Sequence, residues 1–227
     1  MIWIFKPDTL CVDNSKMSEI EYLIRSVEAA DSADALTNAT KNLVNATSIH
    51  AIPTLIRILG FNNPGAALQA VDGLVALGEN AVLPLLTKID SYNYGARGWS
   101  IRALALIGDV RGLEILEQAL REDIGPSVRR AAAKGLGNLK LIGLPRDQQD
   151  LIRIRSLTAL EAGCHDAEWA VRYAVIVGLE SSILHNPAKL EFTLRAQRAL
   201  QYLSLANISV IRERAKLAIQ NISNSLA

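Results

Sequence analysis

The stretch FNNPGAALQAVDGLVALG at residues 61–78 returns thirty positions later, in altered form, as YNYGARGWSIRALALIGD at residues 92–109. Asn93 falls on Asn63, Tyr94 on Pro64, Gly95 on Gly65, Leu104 on Leu74 and Gly108 on Gly78, whereas Asp72 becomes Arg102 and Gln69 becomes Trp99. The same pattern continues in GPSVRRAAAKGLGNL from Gly125, EWAVRYAVIVGLE from Glu168 and SVIRERAKLAIQNI from Ser209. Each copy follows another apolar-periodic segment: AIPTLIRILG, AVLPLLTKID, RGLEILEQALRED, DLIRIRSLTALEAG and EFTLRAQRALQYLS. Two helical patterns per unit, repeated at a period in the thirties to forties, predict an all-α solenoid of HEAT-like helical hairpins.

The repeating positions follow from local physics. Asn63 and Asn93 stand where a helix needs an N-cap, and Pro64 suits the first helical position because its missing N–H has no partner there. Ala70, Val71 and Leu74 match Ser100, Ile101 and Leu104, then Ala132, Ala133 and Leu136, a stripe of period 3.6 that reads as core. Arginine recurs at 97, 129, 172 and 212, with Ala67 in the first copy, and Asp123 and Asp166 stand six residues before two of these. An Asp–Arg ladder joining the inter-helix turns accounts for that column.

Residues 49–222 thus read as about five helical pairs, and 1–48 as an atypical capping pair with helices near 17–30 and 33–45. Two stretches, 140–150 and 183–191, lengthen the connections. No linker divides the chain, so 1–227 reads as one domain. Trp3, Ile4 and Phe5 offer an apolar anchor for a second solenoid.

Composition excludes several classes. Half of the 227 residues are hydrophobic, and 24 basic side chains are interspersed with 23 acidic ones, which gives no electrostatic footprint for nucleic acid. Cys11 and Cys164 form neither a disulfide framework nor a zinc spacing, and His50 and His185 are isolated. The start MIWIFKPDTLCVD lacks a basic segment and a long apolar run, and no stretch approaches a membrane span. A soluble protein of a reducing compartment is the expectation. Cys164 and His165 are adjacent, an arrangement that rarely apposes a nucleophile and its base.

The positions that diverge carry the function. On a helix, 69, 72 and 76 share a stripe turned away from the buried positions, and down successive second helices it reads Gln69, Asp72, Ala76; Trp99, Arg102, Leu106; Ala131, Lys134, Asn138. Second helices of such solenoids line the concave side. There Trp99 can stack on a flat conjugated ligand, Arg102 and Lys134 can pair with its carboxylates, and Asp72 can accept from ring N–H groups. Gln69 and Tyr94 complete the candidate binding set. The same stripe also reads as a solvated inner face that binds a partner protein.

The segments GFNNPGAALQAVDGLVALGENAVLPLL, DSYNYGARGWSIRALALIGDVRGLEIL and PSVRRAAAKGLGNL resemble the E/F-type phycobilin lyases of cyanobacteria and red algae, over roughly residues 45–180 and most of all the F subunit. That resemblance implies a lyase subunit, paired with an E-like partner, that attaches phycocyanobilin or a related bilin to a cysteine of a phycobiliprotein α subunit. It implies cytoplasm or plastid stroma, no resident cofactor, the bilin as substrate, and the nucleophilic thiol on the acceptor. Asp72 would then be catalytic, favouring the protonated, more electrophilic pigment. Other members of the superfamily detach bilins or assist phycobilisome degradation, so a non-catalytic adaptor or detaching factor is the alternative.

Overall fold

The computed structural model describes residues 14–89, 92–185 and 189–226, and every regular element among them is helical. Two helices come first, α1 (Asn14–Glu28) and α2 (Ala33–Asn45). Five pairs follow: α3 (Ile52–Ile58) with α4 (Pro64–Leu77), α5 (Glu79–Thr87) with α6 (Tyr94–Ile107), α7 (Leu113–Glu122) with α8 (Pro126–Gly137), α9 (Arg146–Gly163) with α10 (Trp169–Leu184), and α11 (Leu190–Leu203) with α12 (Ser209–Leu226). The expected extra loop at 140–150 is shorter than its polar sequence suggests, because α9 already begins at Arg146, just after Pro145. The 183–191 stretch likewise starts inside α10 and ends inside α11, with 186–188 outside the described residues. Trp3, Ile4, Phe5 and Cys11 also lie outside them.

Helix starts are chemical. Asn63 Oδ1 accepts from Ala66 N at 3.0 Å and Asn93 Oδ1 from Ala96 N at 3.0 Å, each satisfying a donor that the first helical turn leaves orphaned. Their Nδ2 groups donate backwards, Asn63 to Ala33 O at 2.9 Å and Asn93 to Gly60 O at 3.2 Å, so one side chain caps its own helix and ties it to the preceding unit.

The second helices pack in a file, α2 on α4, α4 on α6, α6 on α8, α8 on α10 and α10 on α12, while the first helices form a looser row behind. A row packed more closely than the one behind it lies inside the bend, so the second helices face the concave side. Approach is tightest where side chains are missing: a Cβ on Gly137 would lie 2.6 Å from Gly178 Cα, and one on Gly135 2.7 Å from Ala105 Cβ. The stripe of Ala70, Val71, Leu74, Ser100, Ile101, Leu104, Ala132, Ala133 and Leu136 is buried throughout. The apolar core has an N-terminal and a C-terminal part, and both draw on α6: Leu104 and Ile107 belong to the first, Ile101 and Ala105 to the second.

The arginine column is structural, and its pairing has a definite sense. Arg97 reaches forward to the Asp123 carboxylate at 2.6 Å, and Arg129 to Asp166 at 2.7 and 3.0 Å. Within their own units three of these arginines also donate to turn carbonyls: Arg129 to Asp123 O at 2.8 Å, Arg172 to Asp166 O, and Arg212 to Ala206 O at 3.1 Å. A second ladder, invisible in the repeat alignment, links first helices through Arg155–Glu117 and Arg195–Glu161.

Candidate functional site

The concave face holds an open groove of about 550 Å³ between α6, α8 and α10. Trp99, Arg102 and Leu106 face it from α6, because spacings of three and four residues bring side chains to one side of a helix. Ser127, Arg130, Ala131, Lys134 and Asn138 face it from α8 on the same spacing, and Val177 and Ser181 from α10. A volume of this size suits a drug-sized organic ligand.

Both ends of the α6–α8 groove are pinned. At the helix N-termini the Tyr94 hydroxyl and Ser127 Oγ share a hydrogen bond. At the C-termini Asn138 Nδ2 donates to Ala105 O at 3.0 Å, and Lys140 N donates to Gly108 O at 2.8 Å. Gly108 takes φ +70°, and a Cβ there would meet Asn138 O, so only glycine ends α6 this close to α8.

The groove is positively charged. Arg102, Arg130 and Lys134 line it, and none of the three has an ion-pair partner among the described residues. The Arg102 guanidinium carbon lies 5.8 Å from the Trp99 ring centroid, a cation over an aromatic face. One helix further on, Arg214 of α12 is neutralised by the buried Glu180, which also accepts from Asn221 at 2.7 Å. Three like charges in one concavity raise each other's energy and focus a positive field outward, an arrangement relieved by a ligand with more than one carboxylate.

Tyr94, Trp99, Arg102 and Lys134 all line this groove. Gln69 and Asp72 are not: both sit on α4, outside the groove lining, Gln69 half-buried and Asp72 exposed. Asp72 therefore sets no carboxylate against a ligand stacked in this groove. The expectation treated equal repeat positions as one continuous floor, whereas the cavity is bounded by α6, α8 and α10, with the small residues Gly95, Gly98 and Ala131 in its lining.

Arg130, Ser127, Val177 and Ser181 escaped the sequence reading. Val177 and Ser181 occupy the Lys134 and Asn138 columns one copy later, so carrying the register through α10 finds them. Arg130 directly follows the ladder arginine Arg129 and joins the groove from the edge of the stripe, one turn before Lys134.

Cys164 and His165 form no catalytic pair. Cys164 is 3% exposed, its Sγ directed to Leu160 O at 3.5 Å, and burial pushes its thiol up to about 12. His165 turns its Nδ1 to the Tyr202 hydroxyl at 3.1 Å. Among the described residues no three His, Cys, Asp or Glu side chains gather as for a metal, and no helix is long and apolar enough to cross a membrane.

Comparison with known proteins places this architecture. The HEAT-repeat family model matches residues 88–180. A bilin biosynthesis protein, RpcF, of Synechococcus sp. (strain WH8020) is 47% identical over 212 residues, which span 93% of this chain and 100% of that one. The phycocyanobilin lyase subunit beta of Thermosynechococcus vestitus is 43% identical over 92% of this chain and 99% of its own. Among solved structures, the complex of CpcE and CpcF of phycocyanin lyase from Nostoc sp. PCC7120 contains a chain that superposes with a TM-score of 0.68 at 45% identity, covering 75% of this chain and 99% of that one. With end-to-end identity far above what a shared solenoid alone produces, the chain belongs to the family of phycocyanobilin lyase beta subunits, the F-type phycobilin lyase subunits.

Proposed function

We propose that this chain is one subunit of a heterodimeric phycobilin lyase that, with an E-like partner, attaches phycocyanobilin or a closely related bilin to a cysteine of a phycobiliprotein α subunit. The observation that carries the proposal is the groove, in which an aromatic face is combined with three cations that have no ion-pair partner among the described residues. A bilin is a flat conjugated tetrapyrrole with two propionates, and that charge and shape complement Trp99 with Arg102, Arg130 and Lys134. The bilin is substrate, no resident cofactor is required, and the reaction belongs to the cytoplasm or plastid stroma.

In the reaction the acceptor's S–H adds across the exocyclic ethylidene double bond of the pigment. A C–S bond forms at the exocyclic carbon, the ring carbon gains a hydrogen, and nothing leaves. Because the nucleophile belongs to the acceptor, the lyase needs no reactive thiol, in keeping with a Cys164 that is buried and protonated. Its work is to hold the carboxylates, fix the conjugated plane and leave the ethylidene edge open to one incoming thiol. Co-expression of the chain with an E-like subunit, a phycobiliprotein α subunit and a bilin source tests this. Covalent chromophore on the α subunit that requires both lyase chains is expected; attachment that is indifferent to this chain overturns the proposal.

A further inference from the structure

At the first position of the second helix the copies read Pro64, Tyr94, Pro126 and Trp169. Proline is what helix initiation favours there, so nothing about starting α6 calls for a tyrosine. At the cap position they read Asn63, Asn93, Gly125 and Glu168, and α8 alone begins on a glycine. No side chain caps α8 there. These two departures from the repeat meet in space. A Cβ on Gly125 would lie 2.8 Å from Tyr94 Cζ and 2.9 Å from its hydroxyl oxygen, so the start of α8 forgoes a capping side chain where the Tyr94 ring rests.

That ring is held from every side except one. Its hydroxyl bonds Ser127 Oγ, its edge lies against Gly125, and the Arg97 guanidinium carbon stands 5.8 Å from its centroid. Arg97 is itself fixed by the Asp123 carboxylate, which also accepts from Gly125 N at 2.8 Å. The residue as a whole is 44% exposed, and it lines the groove. Tyr94 is thus tied to α8 and at the same time part of the cavity wall.

Building on the reading of the groove as a bilin site, we propose that Tyr94 is a positioning residue, a fixed end wall that sets how far a conjugated ligand slides along Trp99 and thereby which carbon meets the acceptor thiol. Fixing the wall before the ligand arrives removes the entropy of ordering it later, and small displacements of reacting atoms are costly in rate. The carboxylate contacts lie further along the groove and supply affinity; the wall supplies register.

The test uses the heterodimer with phycocyanobilin, comparing Tyr94→Ala, Tyr94→Phe and Gly125→Ala. The backbone of Gly125, φ −88° and ψ 120°, accepts alanine without strain, and its side chain touches no ligand, so Gly125→Ala displaces the ring and little else. Tyr94→Ala and Gly125→Ala are expected to keep KM for the pigment within about twofold, lower kcat by about tenfold or more, and alter the circular dichroism of the pigment bound before attachment. Tyr94→Phe keeps the wall and is expected to retain most of kcat and the parental dichroism. Parental kcat and dichroism in both Tyr94→Ala and Gly125→Ala would overturn the inference. If the parental heterodimer binds no pigment, the groove reading itself fails, an outcome distinct from failure of the wall.

Discussion

Three cations in one groove, with no ion-pair partner among the described residues, leave Arg102, Arg130 and Lys134 able to gain from an anionic ligand. Because the groove is open to water, each contact is screened, and Arg130→Gln or Lys134→Gln is expected to cost about 1 kcal/mol, or roughly a fivefold loss of pigment affinity. Neither residue lies on the buried stripe, so helicity and melting temperature should stay unchanged. Affinity of the parent should fall as salt shortens the Debye length, and fall less in the Arg130→Gln/Lys134→Gln double variant. Equal salt dependence in both proteins, read by titration of the pigment's visible absorption, would remove these cations from the site. Asp72 is the contrasting case. Its carboxylate lies on α4 outside the groove, so Asp72→Asn is expected to leave attachment rate and bound-pigment spectrum at parental values; a slowed reaction with a blue-shifted band would return it to the mechanism.

At the scale of elements, the ladder that joins the turns is separable from the groove it flanks. Arg129 makes two hydrogen bonds to the Asp166 carboxylate and one to Asp123 O, with both side chains largely buried, so Arg129→Ala leaves Asp166 buried without its partner. A loss of about 3 kcal/mol in unfolding free energy is expected, against little change for the groove variants; equal destabilisation by both kinds of change would show the two faces to be misassigned. Burial raises the Asp166 carboxyl, but Arg129 and the Glu168 backbone N–H more than offset it and hold it below its ordinary 3.8. A carboxyl depressed by folding stabilises at pH above its unfolded value and loses that contribution as pH falls through the folded one. Thermal melts below about pH 4 should therefore show a steep acid limb that Asp166→Asn flattens. Caps, helix pairs and the presence of an Asp–Arg ladder were legible in the sequence because each is local or repeats at fixed spacing, whereas the forward sense of its pairing was not. The Arg155–Glu117 ladder and Arg130 were not, because the first depends on how first helices stack across units and the second on which side chains of α8 reach the groove. Asp72 was misjudged for the same reason: a periodic pattern gives the face of a helix, but the separation between neighbouring helices, set by contacts such as Gly137 on Gly178, decides where that face encloses a cavity.

The whole molecule is an open file of helices, and an open file has ends. Interior pairs bury both flanks, whereas among the described residues α12 has a neighbour on one side only and leaves Val210 and Leu217 exposed, with Leu205 and Ile208 at the turn that precedes it. The apolar Trp3–Phe5 segment at the other terminus is a second candidate anchor in the sequence. Apolar surface of this kind is relieved by a partner, and the groove, being open along one side, gains a roof in the same event. The chain and an E-like subunit are accordingly expected to sediment as one species of summed mass at micromolar concentration. Association that involves only folded chains must also raise thermal stability, by about 2.7 kcal/mol when the partner is present at a hundred times its dissociation constant. The two readouts check each other: a co-sedimenting pair with no rise in melting temperature would indicate loose aggregation through exposed side chains, and two separate monomers at micromolar concentration would refute a stable heterodimer. A third measurement bears on the groove. If the partner roofs it, the salt dependence of pigment affinity should be weaker in the pair than in the isolated chain, because water and its ions are excluded from around Arg102, Arg130 and Lys134.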